Sequence, residues 1–192
     1  MKFKYEEPSL ERKQDAIDFI NEFKKYHSRI NGSNHLENYI ENYEGWLKKL
    51  ECEKNQKVTE SQVPKRIFFF VRCDDNKIIG MTSIRTKLNK SYYDFGGNIG
   101  YCIRPTERRN GYNKINLYLA LKVCKEYRIE TALLDVDSNN PASWKTMEAL
   151  GAQLDSEELS NMEGHDLVRF YSIDVNQSLE KYKEVYEDFI EY

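Results

Sequence analysis

The sequence has few of the residues that interrupt regular structure. Nine glycines and four prolines stand among 192 residues, whereas aromatic residues make up 13% and hydrophobic residues 40%. Such a composition excludes collagen-like and disordered chains, and it can fill a globular interior. The length favours one domain, because a common domain has roughly 150 residues.

Long apolar runs are absent from the sequence. The longest, such as Ile67 to Val71, are far shorter than a membrane span. The N-terminal residues also lack the apolar stretch of a secretory signal. We therefore expect a cytoplasmic protein with no membrane partner.

Neither sign of charge dominates, and metal-binding residues are scarce. The 29 basic and 32 acidic residues give a net charge of −3, so a general nucleic-acid-binding surface is not expected. The four cysteines are widely spaced, and His27, His35 and His165 lack the spacing of metal ligands. We expect neither a disulfide framework nor a metal.

Hydrophobic spacing predicts helices and strands in a mixed order. Four stretches have the apolar period of a helix: 9–27, 35–51, 112–128 and 178–192. Asn140-Pro141 and Gly151 mark the start and end of another helix. Strands are predicted at 67–71, 78–84, 98–103, 131–136 and 167–173. An early hairpin followed by strand-helix-strand units predicts an α/β (α+β mixed) fold, with a mixed sheet and helices on both faces.

One segment concentrates basic residues at the start of a predicted helix. It spans 103–114, and its basic residues are Arg104, Arg108, Arg109 and Lys114. The first turn of a helix leaves N–H groups unpaired, and Gly111 has no Cβ to keep an anion from the backbone. The segment predicts a phosphate-binding cradle. An ordinary solvated helix start is the alternative.

This segment resembles the coenzyme-binding loop of the GNAT superfamily of acetyl-coenzyme A dependent N-acetyltransferases. That loop reads Arg/Gln-x-x-Gly-x-Gly/Ala after a strand, and residues 108–113 read Arg-Arg-Asn-Gly-Tyr-Asn. Asn113 departs from the family's Gly or Ala. A second GNAT-like pattern, an Asn and a Ser before a helix that ends in a hydrophobic-Gly pair, is matched by Asn140, Ser143 and Leu150-Gly151.

A narrower resemblance is to a bacterial group of predicted acetyltransferases with GGxIGYxIRP, RxxGY and DxxNxAS patterns, matched here at 96–105, 108–112 and 137–143. It implies a GNAT domain over 1–174 with a mostly antiparallel sheet whose parallel central strands splay apart. Residues 175–192 would be an added amphipathic helix. That helix packs either on its own domain or on the partner of a homodimer.

The resemblance implies that the pantetheine arm of acetyl-CoA lies between the splayed strands and pairs with main-chain groups, as an added strand would. The cofactor-binding residues it implies are Tyr101, Ile103, Arg108, Arg109, Asn110, Gly111, Tyr112, Asn113, Lys114, Asn140 and Ser143. For Asn140, capping the following helix is an alternative role.

The resemblance leaves the group that protonates the departing thiolate open. Many relatives use a tyrosine on the helix after the Asn-Ser pattern, and the family spacing places Met147 there. Ser143 and Tyr112 are the candidate substitutes. Release of the thiolate into water without an acid is the alternative.

The acceptor side has candidates of its own. Asp135 and Asp137 occupy alternate positions of a strand and therefore share one face. Asp137 is the candidate catalytic base, and the alternatives are that such a carboxylate binds a cationic substrate or caps the following turn. Asp135, Arg85 and Tyr101 are the candidates for binding the substrate.

The function that these patterns imply is transfer of an acetyl group from acetyl-CoA to a primary amine of a small molecule or a peptide. Two alternatives stay open. One is an inactive coenzyme A binding sensor, which Met147 motivates. The other is an interaction module whose basic loop binds an anionic partner without coenzyme A.

Overall fold

The computed structural model describes residues 1–159 and 167–191, so His165 and Tyr192 lie outside it. The strands of the described residues are β1 (Phe3–Glu6), β2 (Lys65–Arg72), β3 (Lys77–Arg85), β4 (Ile99–Ile103), β5 (Thr131–Asp137), β6 (Gln153–Leu159) and β7 (Leu167–Asp174). The helices are α1 (Lys13–Lys25), α2 (Tyr43–Lys54), α3 (Lys90–Asp94), α4 (Tyr112–Glu126), α5 (Pro141–Ala149) and α6 (Val175–Tyr186). The predicted mixed α/β class is confirmed.

The strands form two antiparallel sheets, in the orders β1-β2-β3-β4 and β5-β7-β6. The sheets meet where Asn98, just before β4, pairs with Leu133 of β5. The Asn98 N–H donates to the Leu133 carbonyl at 2.6 Å, and the Leu133 N–H donates to Asn98 Oδ1 at 2.9 Å. Among the described residues no ladder joins β4 to β5 beyond this point, and the two strands diverge.

Helices cover both faces of the larger sheet. Phe68 and Phe70 of β2 pack in one core with α4, whereas Ile67, Phe69 and Val71 pack in a second core with α1 and α2. Because both faces of the sheet are covered at β2, this strand contains an unbroken run of apolar residues. Successive side chains of a strand point to opposite faces. The core in which a side chain packs therefore shows on which face of β3, β4 or β5 it lies.

The structure corrects several boundaries. Strands β1 and β6 were not predicted, since β1 is short and β6 is an almost wholly exposed edge strand without apolar alternation. The predicted helix 35–51 begins only at Tyr43, after two short 3-10 turns. The strand predicted at 131–136 as a parallel strand pairs with β7 in antiparallel fashion.

The C-terminal helix α6 lies against α4 of the same chain. The rings of Tyr186 and Tyr118 are 5.5 Å apart, and Glu187 accepts hydrogen bonds from the Tyr118 hydroxyl and Lys122 Nζ. Ile190 is buried beside Phe3 of β1. Within the described part of the chain, no helix is long and apolar enough to cross a membrane.

Candidate active site

The divergence of β4 and β5 opens a cleft of about 1230 Å³. Most predicted site residues line it: Arg85, Tyr101, Ile103, Arg108, Arg109, Gly111, Tyr112, Asn113, Lys114, Asp135, Asp137, Asn140 and Ser143. Asn110 does not line the cleft, and its side-chain amide donates to the Glu107 carbonyl at 3.1 Å. The fold thus brings together residues from three strands, two helices and a loop.

The N-terminus of α4 differs from those of most other helices. Helices α2, α3, α5 and α6 each begin with a side chain that accepts a hydrogen bond from their first turn. The cap residue of α4 is Gly111, which has φ +78° and no side chain, and a Cβ added there would meet no atom within 4 Å. The first-turn N–H groups of α4 therefore lack a side-chain cap and face the open cleft, which favours an anion.

The basic residues of this segment divide into two kinds. Arg109 and Lys114 are exposed and make no hydrogen bond or ion pair with any described residue. Arg108 is fixed instead, since its Nε donates to the Ile103 carbonyl at 3.0 Å and its Nη2 to Ser28 Oγ at 2.7 Å. Two exposed, unpaired cations and one positioned cation therefore lie around the start of α4.

Arg104 does not belong to the phosphate-binding cradle, contrary to the prediction. Its side chain is buried, donating from Nε to the Ile78 carbonyl and pairing with Glu22 of α1 at 2.9 Å. Burial raises the pKa of Glu22, but the hydrogen bonds from Thr106 and Arg104 outweigh it and hold that pKa below its ordinary value. Arg104 is an anchor between β4 and α1.

The cleft has two chemically distinct sides. The first, which we call the α5 side, carries Tyr101, Asn113, Ser143 and Met147. The Tyr101 hydroxyl lies 2.9 Å from Ser143 Oγ and so bridges from β4 to α5. Burial raises the pKa of Tyr101 to about 12, so the phenol keeps its proton at neutral pH.

The second, which we call the loop side, carries charged residues beside the loop between α1 and α2. Val136 packs in the core with α4, so its neighbours Asp135 and Asp137 point to the opposite face, toward this loop. Arg29 of the loop contacts Asp137 at 3.4 Å. Gly32 brings the loop close to β4, because at φ +75° it lies where a Cβ would be 2.7 Å from the Gly100 carbonyl oxygen.

Asp135 has no side-chain hydrogen bond or ion pair to another described residue, although it lines the cleft. Desolvation by the cleft walls raises its pKa, while the charge of Arg85 opposes the rise. A carboxylate that is unpaired, accessible and perturbed is a candidate for chemistry. Asp137, by contrast, already has a partner in Arg29.

Arg85 is held at the base of the loop side. Its Nη1 donates to the carbonyls of Gly96 and Gly97 at 2.8 and 3.0 Å, and its guanidinium lies 4.3 Å from the centre of the Tyr92 ring. Its Nε is buried without a hydrogen-bond partner. The guanidinium of Arg85 is therefore held in place, and it still has N–H donors that make no hydrogen bond with a described residue.

Sequence reasoning missed Arg29, and no spacing signal marks it, since only the folded loop brings it to Asp137. It also missed that Asn98 joins the two sheets, although Asn98 stands in the glycine-rich pattern. Cys102 lines the cleft, but burial raises its pKa to about 12, so it supplies no thiolate nucleophile. Within residues 1–159 and 167–191, no cluster of three or more His, Cys, Asp or Glu residues suits a metal ion.

Comparison with known proteins identifies the family. A family model described as Acetyltransferase (GNAT) family matches residues 33–152. The chain belongs to the GNAT acetyltransferase family. Membership makes it an acyltransferase. A search of curated proteins finds no match to this GNAT chain.

Solved structures share the GNAT fold at low sequence identity. A chimera of the spermidine N-acetyltransferase SpeG from Vibrio cholerae and hSSAT has a TM-score of 0.64 at 14% identity, over 94% of this chain and 99% of that one. The microcin self-immunity acetyltransferase MccE, solved with acetyl-CoA and AMP, has a TM-score of 0.65 at 14% identity, over 90% and 92%. An N-acetyltransferase from Staphylococcus aureus has a TM-score of 0.60 at 13% identity, over 91% and 99%.

Proposed function

We propose that this GNAT protein transfers an acetyl group from acetyl-CoA to a primary amine. The observation that carries the proposal is the uncapped N-terminus of α4, which opens onto the cleft between the diverging strands β4 and β5. Phosphate groups favour such a helix terminus. An anion site and an unpaired strand edge in one cleft suit a ligand with a pyrophosphate and an amide-containing arm.

The residues fit acetyl-CoA. We assign the pyrophosphate to the N–H groups of 111–114, with Arg108, Arg109 and Lys114 around it. Main-chain groups of Tyr101 and Ile103 lie on the open edge of β4, where an extended arm can pair with them. When bound, acetyl-CoA supplies a thioester whose carbonyl carbon accepts an amine and whose sulfur leaves as a thiolate.

The loop side receives the acceptor. An amine attacks only when neutral, so a proton must leave the ammonium, and a carboxylate can take it directly or through water. Asp137 is one candidate base, but its pairing with Arg29 makes the unpaired Asp135 the better placed of the two. Arg85 lies beside them and contributes to substrate binding.

We place the departing sulfur of the thioester on the α5 side. Ser143 and Tyr101 form a hydrogen-bonded pair at 2.9 Å, and either hydroxyl can donate a hydrogen bond toward a thiolate. Tyr112 is less suited, because its ring packs against Phe3 of β1. We therefore assign Ser143, positioned by Tyr101, as the candidate acid and place Tyr101 with the coenzyme.

The cap at the start of α5 is compatible with a second role of Asn140 in coenzyme binding. Its Oδ1 accepts from the Ser143 N–H at 3.3 Å, which is a helix cap. The side-chain amide N–H₂ is left for a ligand, so capping and coenzyme binding use different atoms and are compatible.

An inactive coenzyme A sensor is the second candidate, because Met147 carries no proton at the position where relatives have a tyrosine. Two measurements on the purified protein separate the functions. Acetyl-CoA should raise the melting temperature, and a panel of amines should accelerate release of coenzyme A thiol. A thermal shift without amine-dependent release would identify the sensor, and absence of both would leave the anion-binding module.

A further inference from the structure

The loop side of the cleft holds both signs of charge in a small space. Asp135 and Asp137 of β5 line it together with Arg85 of β3 and Arg29 of the loop. In a merely structural cluster these four groups would neutralise one another in close ion pairs. Here one pair forms, at 3.4 Å between Arg29 and Asp137, whereas Asp135 and Arg85 make no ion pair with any described residue.

The carboxylates are poorly paired. Asp135 has no ion pair to any described residue, and Asp137 has one contact of 3.4 Å with a single nitrogen of Arg29. The Arg29 side chain is 90% exposed, and its Nη1 makes the contact with Asp137. The other N–H donors of Arg29 are therefore available to another anion while the pair with Asp137 stays in place.

The guanidinium of Arg85 also has N–H donors without a partner among the described residues. Both hydrogen bonds of Arg85 come from Nη1, while Nη2 makes none with any described residue and Nε is buried without a partner. Stacking on Tyr92 fixes the plane of the group. A planar, fixed guanidinium with unused donors matches a carboxylate or a phosphate.

The charge of the acceptor determines whether the unused donors of Arg85 and Arg29 find a partner. A diamine would place its second ammonium near two guanidiniums, and an amine without an anionic group would leave the unused donors of Arg85 and Arg29 without an acceptor. We infer that the acceptor is a small amine that also bears an anionic group, a carboxylate or a phosphate, with the ammonium at Asp135 and the anion at Arg85 and Arg29. The inference rests on the proposed acetyl transfer and names its acceptor class.

The test uses acceptors in matched pairs. Glycine, β-alanine and γ-aminobutyrate are each compared with their amides, phosphoethanolamine with ethanolamine, and γ-aminobutyrate with the diamine putrescine. We expect kcat/KM for the best carboxylate or phosphate to exceed that of its uncharged partner by at least about tenfold, as a charge-assisted hydrogen bond supplies. The carboxylate and phosphate arms tell the two anions apart. Equal or better turnover of the amides or of putrescine would overturn the inference.

A variant pair assigns the preference to Arg29. Arg29→Gln should remove most of the anionic preference, and Arg29→Glu should invert it in favour of putrescine. Lys24→Gln is the control, since it removes an exposed charge from the end of α1, outside the cleft lining. An unchanged preference in Arg29→Glu would contradict the assignment.

Calorimetric titration of the same amines into coenzyme A-saturated protein separates this inference from the proposed reaction. The same order of affinities without turnover would defeat acetyl transfer and support the ligand class. Affinities that ignore the anionic group would overturn the ligand class, whatever the turnover.

Discussion

The start of α4 and the loop side of the cleft are built in different ways. At the start of α4 the binding groups are backbone N–H donors that one continuous segment supplies, and the signal is a glycine among basic residues. On the loop side the groups are side chains from β3, β5 and the loop between α1 and α2, which are far apart in sequence. A site made of local backbone can be recognised in a sequence, whereas one made of distant side chains needs the fold.

The largest expected effect concerns Asp135 on the loop side. Asp135→Asn should lower kcat by about 10²- to 10⁴-fold, because the proton of the acceptor loses its base. In the wild-type protein the rate should fall as the pH drops through the raised pKa of Asp135, since protonation removes the base. The pH–rate profile of the variant should lack that limb and approach the wild-type rate at high pH, where the amine is already neutral.

Asp137→Asn is the matched control for this prediction. We expect a smaller loss there, because Asp137 is paired with Arg29. If Asp137→Asn lowers kcat more than Asp135→Asn does, the base is Asp137 instead.

A pair of arginines on the basic segment sharpens the comparison. Arg104→Gln should cost about 3 kcal/mol of unfolding free energy, because it leaves Glu22 without its buried partner. Coenzyme affinity should be unchanged. Arg109→Gln should do the reverse, weakening acetyl-CoA binding by about tenfold with stability intact. Denaturation and titration on both variants test this, and equal effects on coenzyme affinity would place Arg104 back in the cradle.

Gly111 tests the backbone site itself. At a hundred times its dissociation constant acetyl-CoA adds about 2.7 kcal/mol to stability, and Gly111→Glu should abolish that gain by placing a negative charge in the anion site. Gly111→Ala shares the strain of φ +78° without the charge, so it serves as the control in the thermal shift. Retention of the shift in Gly111→Glu would remove α4 from the coenzyme site.

The smallest effect is expected at Asn140. Asn140→Ala should cost about 1 kcal/mol of stability through the lost cap. Asn140→Ser keeps a neutral capping oxygen but lacks the amide N–H₂, so a loss of acetyl-CoA affinity in this variant reports the lost ligand contact. Unchanged affinity in both would leave Asn140 with the cap only.

Much of the fold followed from local signals. The helices at α1, α4 and α5 and the β2–β3 hairpin were predicted from apolar spacing, caps and turns, which are local properties. Strand β6 escaped because an exposed edge strand needs no apolar pattern. Its partner β7 is the next described strand along the chain, but the pairing leaves no apolar pattern in β6.

The site shows the same division. Gly111, Arg109 and Lys114 lie at the uncapped N-terminus of α4, the position that the sequence pattern predicts for them. Arg104 was misjudged because its sequence neighbours do not reveal that Glu22 lies against it. Arg29 was missed for a related reason, since its partner Asp137 is 108 positions away.

A crystal structure of the protein with acetyl-CoA tests the central claim most directly. The account predicts the pyrophosphate on the N–H groups of 111–114, the arm along the open edge of β4, and the thioester between Ser143 on the α5 side and Asp135 on the loop side. A coenzyme bound elsewhere, or phosphates that avoid the start of α4, would contradict it.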